Sequence, residues 1–141
     1  MNWKNEAIER LQQYTAARCA ENNLHSEVER LESVLRSPGI SRTDTPAGSP
    51  KSREDWQLNQ MLLLDQTRSR LHQTRQWLRS TEEAMNTLTQ EERLVLQRLF
   101  ISPKKGGVEE LCRELAAERS SVYRRRDQAL RRFTLALYGP S

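Results

Sequence analysis

The sequence predicts an all-α protein: a long helical hairpin of coiled-coil character, followed by a compact C-terminal helical domain. Three observations lead there. Of 141 residues, 35% are hydrophobic and 30% charged, a thin supply for a round globule but enough for long helices that each bury one narrow stripe. Aromatic residues make up 6%, and β-branched runs are sparse, so a sheet is disfavoured. Two long segments, 3–36 and 53–87, contain neither proline nor glycine.

The first of these, within the range 1–36, reads as one helix. Ala7, Leu11, Tyr14, Ala17, Leu24, Val28, Leu31 and Leu35 recur at spacings of mostly three and four, the repeat of one helix face. Ser37, Pro38 and Gly39 end it. Residues 37–52 hold three of the five prolines among Ser, Thr and Gly, with only Ile40 to pack, and are expected to be a flexible linker. A second helix is expected over 53–87, with Ser52 as its cap and Asp55 three residues on. Along it Leu64, Leu71, Leu78 and Met85 occupy one heptad position, and Thr67, Thr74, Thr81 and Leu88 the other. A sustained seven-residue repeat keeps one stripe facing a partner helix. Trp56, Leu63 and Trp77 flank the seam. Pairing within the chain as an antiparallel hairpin and self-association of two chains both satisfy it.

Residues 88–141 form the remaining domain. Thr89 and Glu92 have the spacing of a capping box, and Leu94, Val95, Leu96, Leu99 and Phe100 supply a buried side. Pro103 and the Gly106-Gly107 pair break the chain before two shorter helices, at about 108–116 and 119–137. The positive charge is concentrated here. Residues 1–87 hold 12 Lys and Arg against 12 Asp and Glu, whereas residues 88–141 hold 11 against 7. Between Arg119 and Arg132 six arginines face one acid, Asp127, a field that suits a polyanion.

The last two helices carry the candidate site. Val108, Leu111, Cys112 and Leu115 lie on one side of the first, and a tight turn at Ala116, Ala117 and Glu118 follows. Val122, Ala129, Leu130 and Phe133 define the inward side of the second. So short a turn is the helix-turn-helix arrangement that sets a second helix into a major groove. At 100° per residue the opposite side carries Ser120, Arg124, Asp127, Gln128 and Arg131, flanked by Tyr123, Ser121 and Arg125. Arg can bond two guanine acceptors at once, Gln can read adenine, and hydroxyls bond phosphate oxygens.

Leu88-Thr89-Gln90-Glu91-Glu92-Arg93-Leu94-Val95-Leu96, Val108-Glu109-Glu110-Leu111, Arg119-Ser120-Ser121-Val122-Tyr123-Arg124-Arg125-Arg126 and Ala129-Leu130-Arg131-Arg132-Phe133 together resemble region 4 of the sigma-70 family. The resemblance implies binding to a promoter −35 element and contact with host RNA polymerase, with Arg119, Ser120, Tyr123 and Arg124 as contacting residues. Three positions depart from the family pattern. Ala116 stands where a turn glycine is usual, Glu118 where Ser or Thr caps the recognition helix, and Arg126 near the inward stripe, where it can either snorkel to solvent or pair with Glu110 or Glu114. The N-terminal part, with Ala7-Ile8-Glu9-Arg10-Leu11, Tyr14, the Ser/Pro linker and Ser52-Arg53-Glu54-Asp55, is similar to small phage and prophage regulators of the RinA/ArpU-like kind. Such regulators activate late or packaging genes.

The function expected is therefore a sequence-specific transcription regulator that binds double-stranded promoter DNA and acts with host RNA polymerase. Homo-oligomerisation through its long helices is one of the two arrangements that the seam allows. The 141 residues leave no place for the promoter-melting domain of full sigma factors, so dependence on the host's main sigma factor is expected. The alternatives are a small terminase-like packaging protein and a coiled-coil adaptor. Enzyme chemistry has no constellation to rest on: His25 and His72 are isolated, and no phosphate-cradling glycine loop is present. Cys19 and Cys112 lack metal-ligand spacing, so neither a metal nor a cofactor is expected, and Cys112 reads as a small apolar residue. No apolar run approaches the ~20 residues of a membrane span, and no secretory segment is visible. A cytoplasmic protein is expected.

Overall fold

In the computed structural model the chain is described over residues 2–36 and 50–140, with residues 50 and 51 by backbone alone. Every regular element among these is helical: α1 (Trp3–Arg36), α2 (Pro50–Asn86), α3 (Gln90–Leu96), α4 (Gly107–Leu115) and α5 (Arg119–Tyr138). The all-α expectation holds. So does the extent of α1, because nothing in 3–36 removes a backbone donor or frees the chain to turn. Of the expected linker, 37–49 lies outside the described residues. Its last part is helical, since α2 starts at Pro50. Proline suits a first helical position, where its missing N–H would have no partner. Ser52 therefore sits inside the first turn rather than capping it.

The chain divides into two compact units along lines that the sequence reading did not draw: residues 1–18 with 77–141, and residues 19–76. The expected divisions after 36, 52 and 87 followed secondary structure. The observed one follows packing. In the first unit Ala7 and Leu11 of α1 and Ala84, Met85 and Leu88 at the end of α2 share one buried cluster with Leu96, Ala129, Leu130 and Phe133. Leu11, Leu96, Leu130 and Phe133 are fully buried. Phe133 and Leu130 thus share their cluster with the start of α1 and the end of α2 as well as with their own C-terminal helices.

A second cluster in this unit joins Val95, Leu111 and Val122, with Leu94, Leu99, Cys112, Leu115 and Ala117 packed around it. α3 must serve both clusters. Its continuation, Gln97–Ile101, widens into a π-helical turn, closed by Ser102 N–H donating to the Gln97 carbonyl at 2.8 Å. Adjacent Leu99 and Phe100, about 100° apart around a helix axis, face different clusters, Leu99 the second and Phe100 with Ile101 the first.

Polar contacts also hold α1 to α2 in this unit. Arg10 donates through Nε to Thr81 Oγ1 at 2.8 Å and stacks 4.7 Å over the Trp77 ring. Tyr14 donates to Glu82 at 2.8 Å. Thr81 is fully buried and donates in turn to the Trp77 carbonyl at 2.8 Å. A seam threonine is tolerated there because its hydroxyl is satisfied locally.

In the second unit Val28 and Leu31 of α1 bury against Leu64 and Leu71 of α2, with Leu24 and Leu35 packed on them. Glu32 meets Arg68 at 3.0 Å and His25 meets Arg75 at 3.3 Å. As the numbering rises on one helix it falls on the other, so the two run antiparallel here. Thr67 is buried and donates to the Leu63 carbonyl at 2.7 Å. Of the eight heptad positions named above, only Thr74 is not buried. Leu63, expected at the flank of the seam, is 41% exposed.

Leu11→Ala removes a fully buried side chain from the cluster shared with Phe133, and such truncations cost about 2–5 kcal/mol. The expected result is a loss of amide-exchange protection at Leu130 and Phe133, not merely in α1. A fragment of 88–141 is expected to unfold less cooperatively than the full chain. Unchanged protection in the Leu11→Ala protein would show that α1 is dispensable to this core.

Candidate nucleic-acid interface

The site grows from the turn between α4 and α5. α4 ends at Ala116, whose φ of 49° and ψ of 46° place it in the left-handed region. It is the only non-glycine residue with positive φ among the described residues. Ala117 N–H donates to the Cys112 carbonyl at 3.0 Å and Ala116 N–H to that of Arg113 at 3.4 Å, the paired bonds of a helix end that normally uses glycine. Ala117, like Cys112, packs against the Val95, Leu111 and Val122 cluster. α5 opens at Glu118, which makes no side-chain capping bond. Its carbonyl accepts from Val122 N–H at 3.1 Å. Both departures noted in the sequence are thus real features of the turn. Burial overrides them: Leu111 and Val122 are fully buried on its two sides.

The inward side of α5 is as expected, with Val122, Ala129, Leu130 and Phe133 all fully buried. Ser120, Arg124, Gln128 and Arg131 are exposed, Tyr123 is 37% exposed, and Ser121 is half-buried. Ser120, Arg124, Asp127 and Arg131 follow i, i+4, i+7 and i+11, so they form one stripe, with Gln128 beside it.

The six arginines fall into two groups. Four are held by carboxylates. Arg119 pairs with Glu109 of α4. Arg125 pairs with Glu91 at 3.0 Å. Arg126 bonds Asp127 at 3.1 Å through Nε and lies 4.9 Å over the Tyr123 ring. Arg132 donates to Glu92 at 3.1 Å. Arg124 and Arg131 form no ion pair among the described residues. Arg126 therefore satisfies itself on its own helix, and Glu110 and Glu114 are taken by Arg98 at 3.2 and 3.0 Å.

Glu92 organises the opening of α3. Its Oε1 accepts from Thr89 N–H at 3.0 Å while Thr89 Oγ1 accepts from Glu92 N–H at 3.2 Å, the expected capping box. Arg132 closes on the same Oε1, and the Glu92 side chain is only 7% exposed. Arg132 is a structural residue.

Asp127 is not free either. Lys4 Nζ of α1 stands 2.9 Å from its Oδ1. The Lys4 ammonium first, and then the Arg126 guanidinium, hold the Asp127 carboxyl below the usual carboxylate range, against partial burial. Sequence reasoning missed Lys4, because no local pattern links two residues so far apart in the chain. Asn2 Oδ1 accepts from Lys4 N–H at 3.1 Å, which fixes this first turn.

Among the described residues no cluster of His, Cys, Asp or Glu is placed to hold a metal. Cys19 and Cys112 are free thiols. No described helix is long and apolar enough to cross a membrane. Comparisons with protein-family models, with curated proteins and with solved structures gave no match.

Two outcomes test this geometry. Ala116→Gly relieves a left-handed conformation costing about 1–2 kcal/mol, offset in part by glycine's greater unfolded entropy. It is expected to raise Tm by about 2–4 °C, and a lower Tm would contradict the turn described. Asp127 titrates below the ordinary ~3.9 of its type, so the Lys4 contact stabilises at neutral pH and is lost as pH falls through that lowered value. Carboxyl NMR titration is expected to show the midpoint rising in Lys4→Gln.

Proposed function

We propose that this chain is a sequence-specific, DNA-binding transcription regulator whose α3 to α5 form a sigma region-4-like helix-turn-helix, with α5 as the recognition helix. One observation carries the reading. Arg124 and Arg131 stand on a single exposed stripe of α5, unengaged by carboxylates, while the other four arginines of the helix are engaged. Such a pair suits groove entry, because a guanidinium can bond guanine bidentately or bridge phosphates. Gln128 and Ser120 add a base-reading amide and a hydroxyl on the same side. Tyr123, held beneath Arg126, and Arg119, which can exchange Glu109 for a phosphate, lie at its edges.

On this reading the protein works in the cytoplasm with host RNA polymerase at promoter DNA, as the RinA/ArpU-like resemblance suggests for phage late genes. The antiparallel contacts within 19–76 suit a helical hairpin, which would serve as the oligomerising or partner-binding part.

Titration of duplex DNA at two salt concentrations tests it. Arg124→Ala is expected to lose about 1–3 kcal/mol of discrimination at one base position. Arg131→Ala is expected to weaken all sequences alike and lower the salt slope by about one. Arg132→Ala should instead lower thermal stability, by about 1–3 kcal/mol, because it leaves the buried Glu92 carboxylate short of a donor. Wild-type protein that binds no duplex at low salt would overturn the proposal.

A further inference from the structure

The exposed stripe of α5 contains one residue that should work against a polyanion. Asp127 lies between Arg124 and Arg131, about 4.5 Å along the axis from the first and about 6 Å from the second. An uncompensated carboxylate there would face phosphates across the same gap as the two guanidiniums, and like charges at an interface oppose association. Arg126 reaches it from within the helix at 3.0 Å. That guanidinium is also committed to the Tyr123 ring. The second counter-charge comes from the opposite end of the chain, as Lys4 Nζ at 2.9 Å. Lys4 and Asp127 keep 35% and 45% of their side-chain surface exposed, so the pair lies at the surface beside the stripe rather than in the core.

We propose that the first turn of α1 belongs to the DNA-facing surface, and that Lys4 is the residue that makes Asp127 compatible with a phosphate backbone. The inference rests on the DNA-binding reading of α5 and extends the interface beyond that helix. The partner surface is the phosphate backbone of duplex DNA flanking the groove that α5 would enter. Lys4 acts as a positioning and neutralising residue: its ammonium offsets the carboxylate at the centre of the stripe, so that Arg124 and Arg131 face the phosphates without an opposing charge between them. The burial of Ala7 and Leu11 in the core under α5 holds this turn in place.

A merely structural brace and a charge-cancelling contact predict different signs. Were the pair only a brace, Lys4→Gln and Asp127→Asn would each weaken binding. Under the proposal they act oppositely. With full-length protein and a random-sequence duplex, Lys4→Gln is expected to weaken binding about threefold to tenfold, and Asp127→Asn to tighten it by a similar factor with a salt slope steeper by about 0.9. The double variant should return close to wild type. Lys4→Arg, which keeps the charge, should bind as wild type does and guards against a folding defect in Lys4→Gln. Glu29→Gln, in the other unit, raises net charge equally and should change affinity less than Asp127→Asn. Weaker binding by Asp127→Asn, or an unchanged affinity in Lys4→Gln, would overturn the proposal while leaving α5 as a DNA-binding helix. Absence of duplex binding by wild type would instead remove the reading on which it rests.

Discussion

The burial of Ala7 and Leu11 against Leu96, Leu130 and Phe133 is the contact on which the C-terminal helices depend. The helices from Gln90 onward close one cluster among themselves, around Val95, Leu111 and Val122, whereas Leu96, Leu130 and Phe133 share theirs with α1 and the end of α2. Phe133 is the largest fully buried side chain, and it lies in the cluster that α1 completes. Burying a Phe or Leu is worth about 1.5–3 kcal/mol each, a large share of a net stability of roughly 5–15 kcal/mol. A chain this rich in charge therefore recruits its first helix to finish a core that its last helix begins. The beginning of α1 is in consequence set beside α5, and Lys4 comes to stand against Asp127.

Charge is apportioned in the same economical way. Read as composition, the arginines of α5 are a uniform basic cluster. In three dimensions each has a distinct task. Arg132 completes the capping box of α3 through a nearly buried carboxylate, Arg125 reaches Glu91 on the same helix, and Arg119 spans the turn to Glu109. These pairs lash α5 to the helices it packs on. Exposed pairs contribute little, about 0–1 kcal/mol, whereas the Arg132–Glu92 contact involves a side chain that cannot be left to water. Among the described residues Arg124 and Arg131 are the arginines of α5 without an ion pair, and both are on the side away from the core.

What the sequence made legible was whatever a local repeat encodes. The heptad positions Leu64, Leu71, Leu78 and Met85, the capping box of Thr89 and Glu92, and the inward stripe of Val122, Ala129, Leu130 and Phe133 each follow from periodicity over a few turns. The departures at Ala116 and Glu118 were legible too, because left-handed and capping positions favour particular residue types. Illegible were the features that depend on which distant faces meet. The partition of α1 between two units, the Lys4–Asp127 contact and the partner of Arg132 come from tertiary packing, which no spacing announces. Of the two arrangements open to Arg126, the pair with Glu110 or Glu114 is not formed for a related reason: both carboxylates were in reach by sequence, but Arg98 occupies them.

The turn between α4 and α5 shows how these levels combine. It has neither the glycine that would relax its left-handed residue nor a side chain to cap the helix that follows. Two local determinants of the angle are therefore weak. The angle must be held by tertiary means, through Val95, Leu111 and Val122 inside and the Arg119–Glu109 pair outside. The inside contact is permanent, since fully buried side chains have no alternative partner in water. The outside pair is not, for both its members are more than half exposed and its bond is easily exchanged. A phosphate approaching the start of α5 would compete with Glu109 for the same guanidinium, on nearly equal terms. The buried contact would keep the helix in place while that exchange occurs, so Arg119 can change partners without the turn losing its shape.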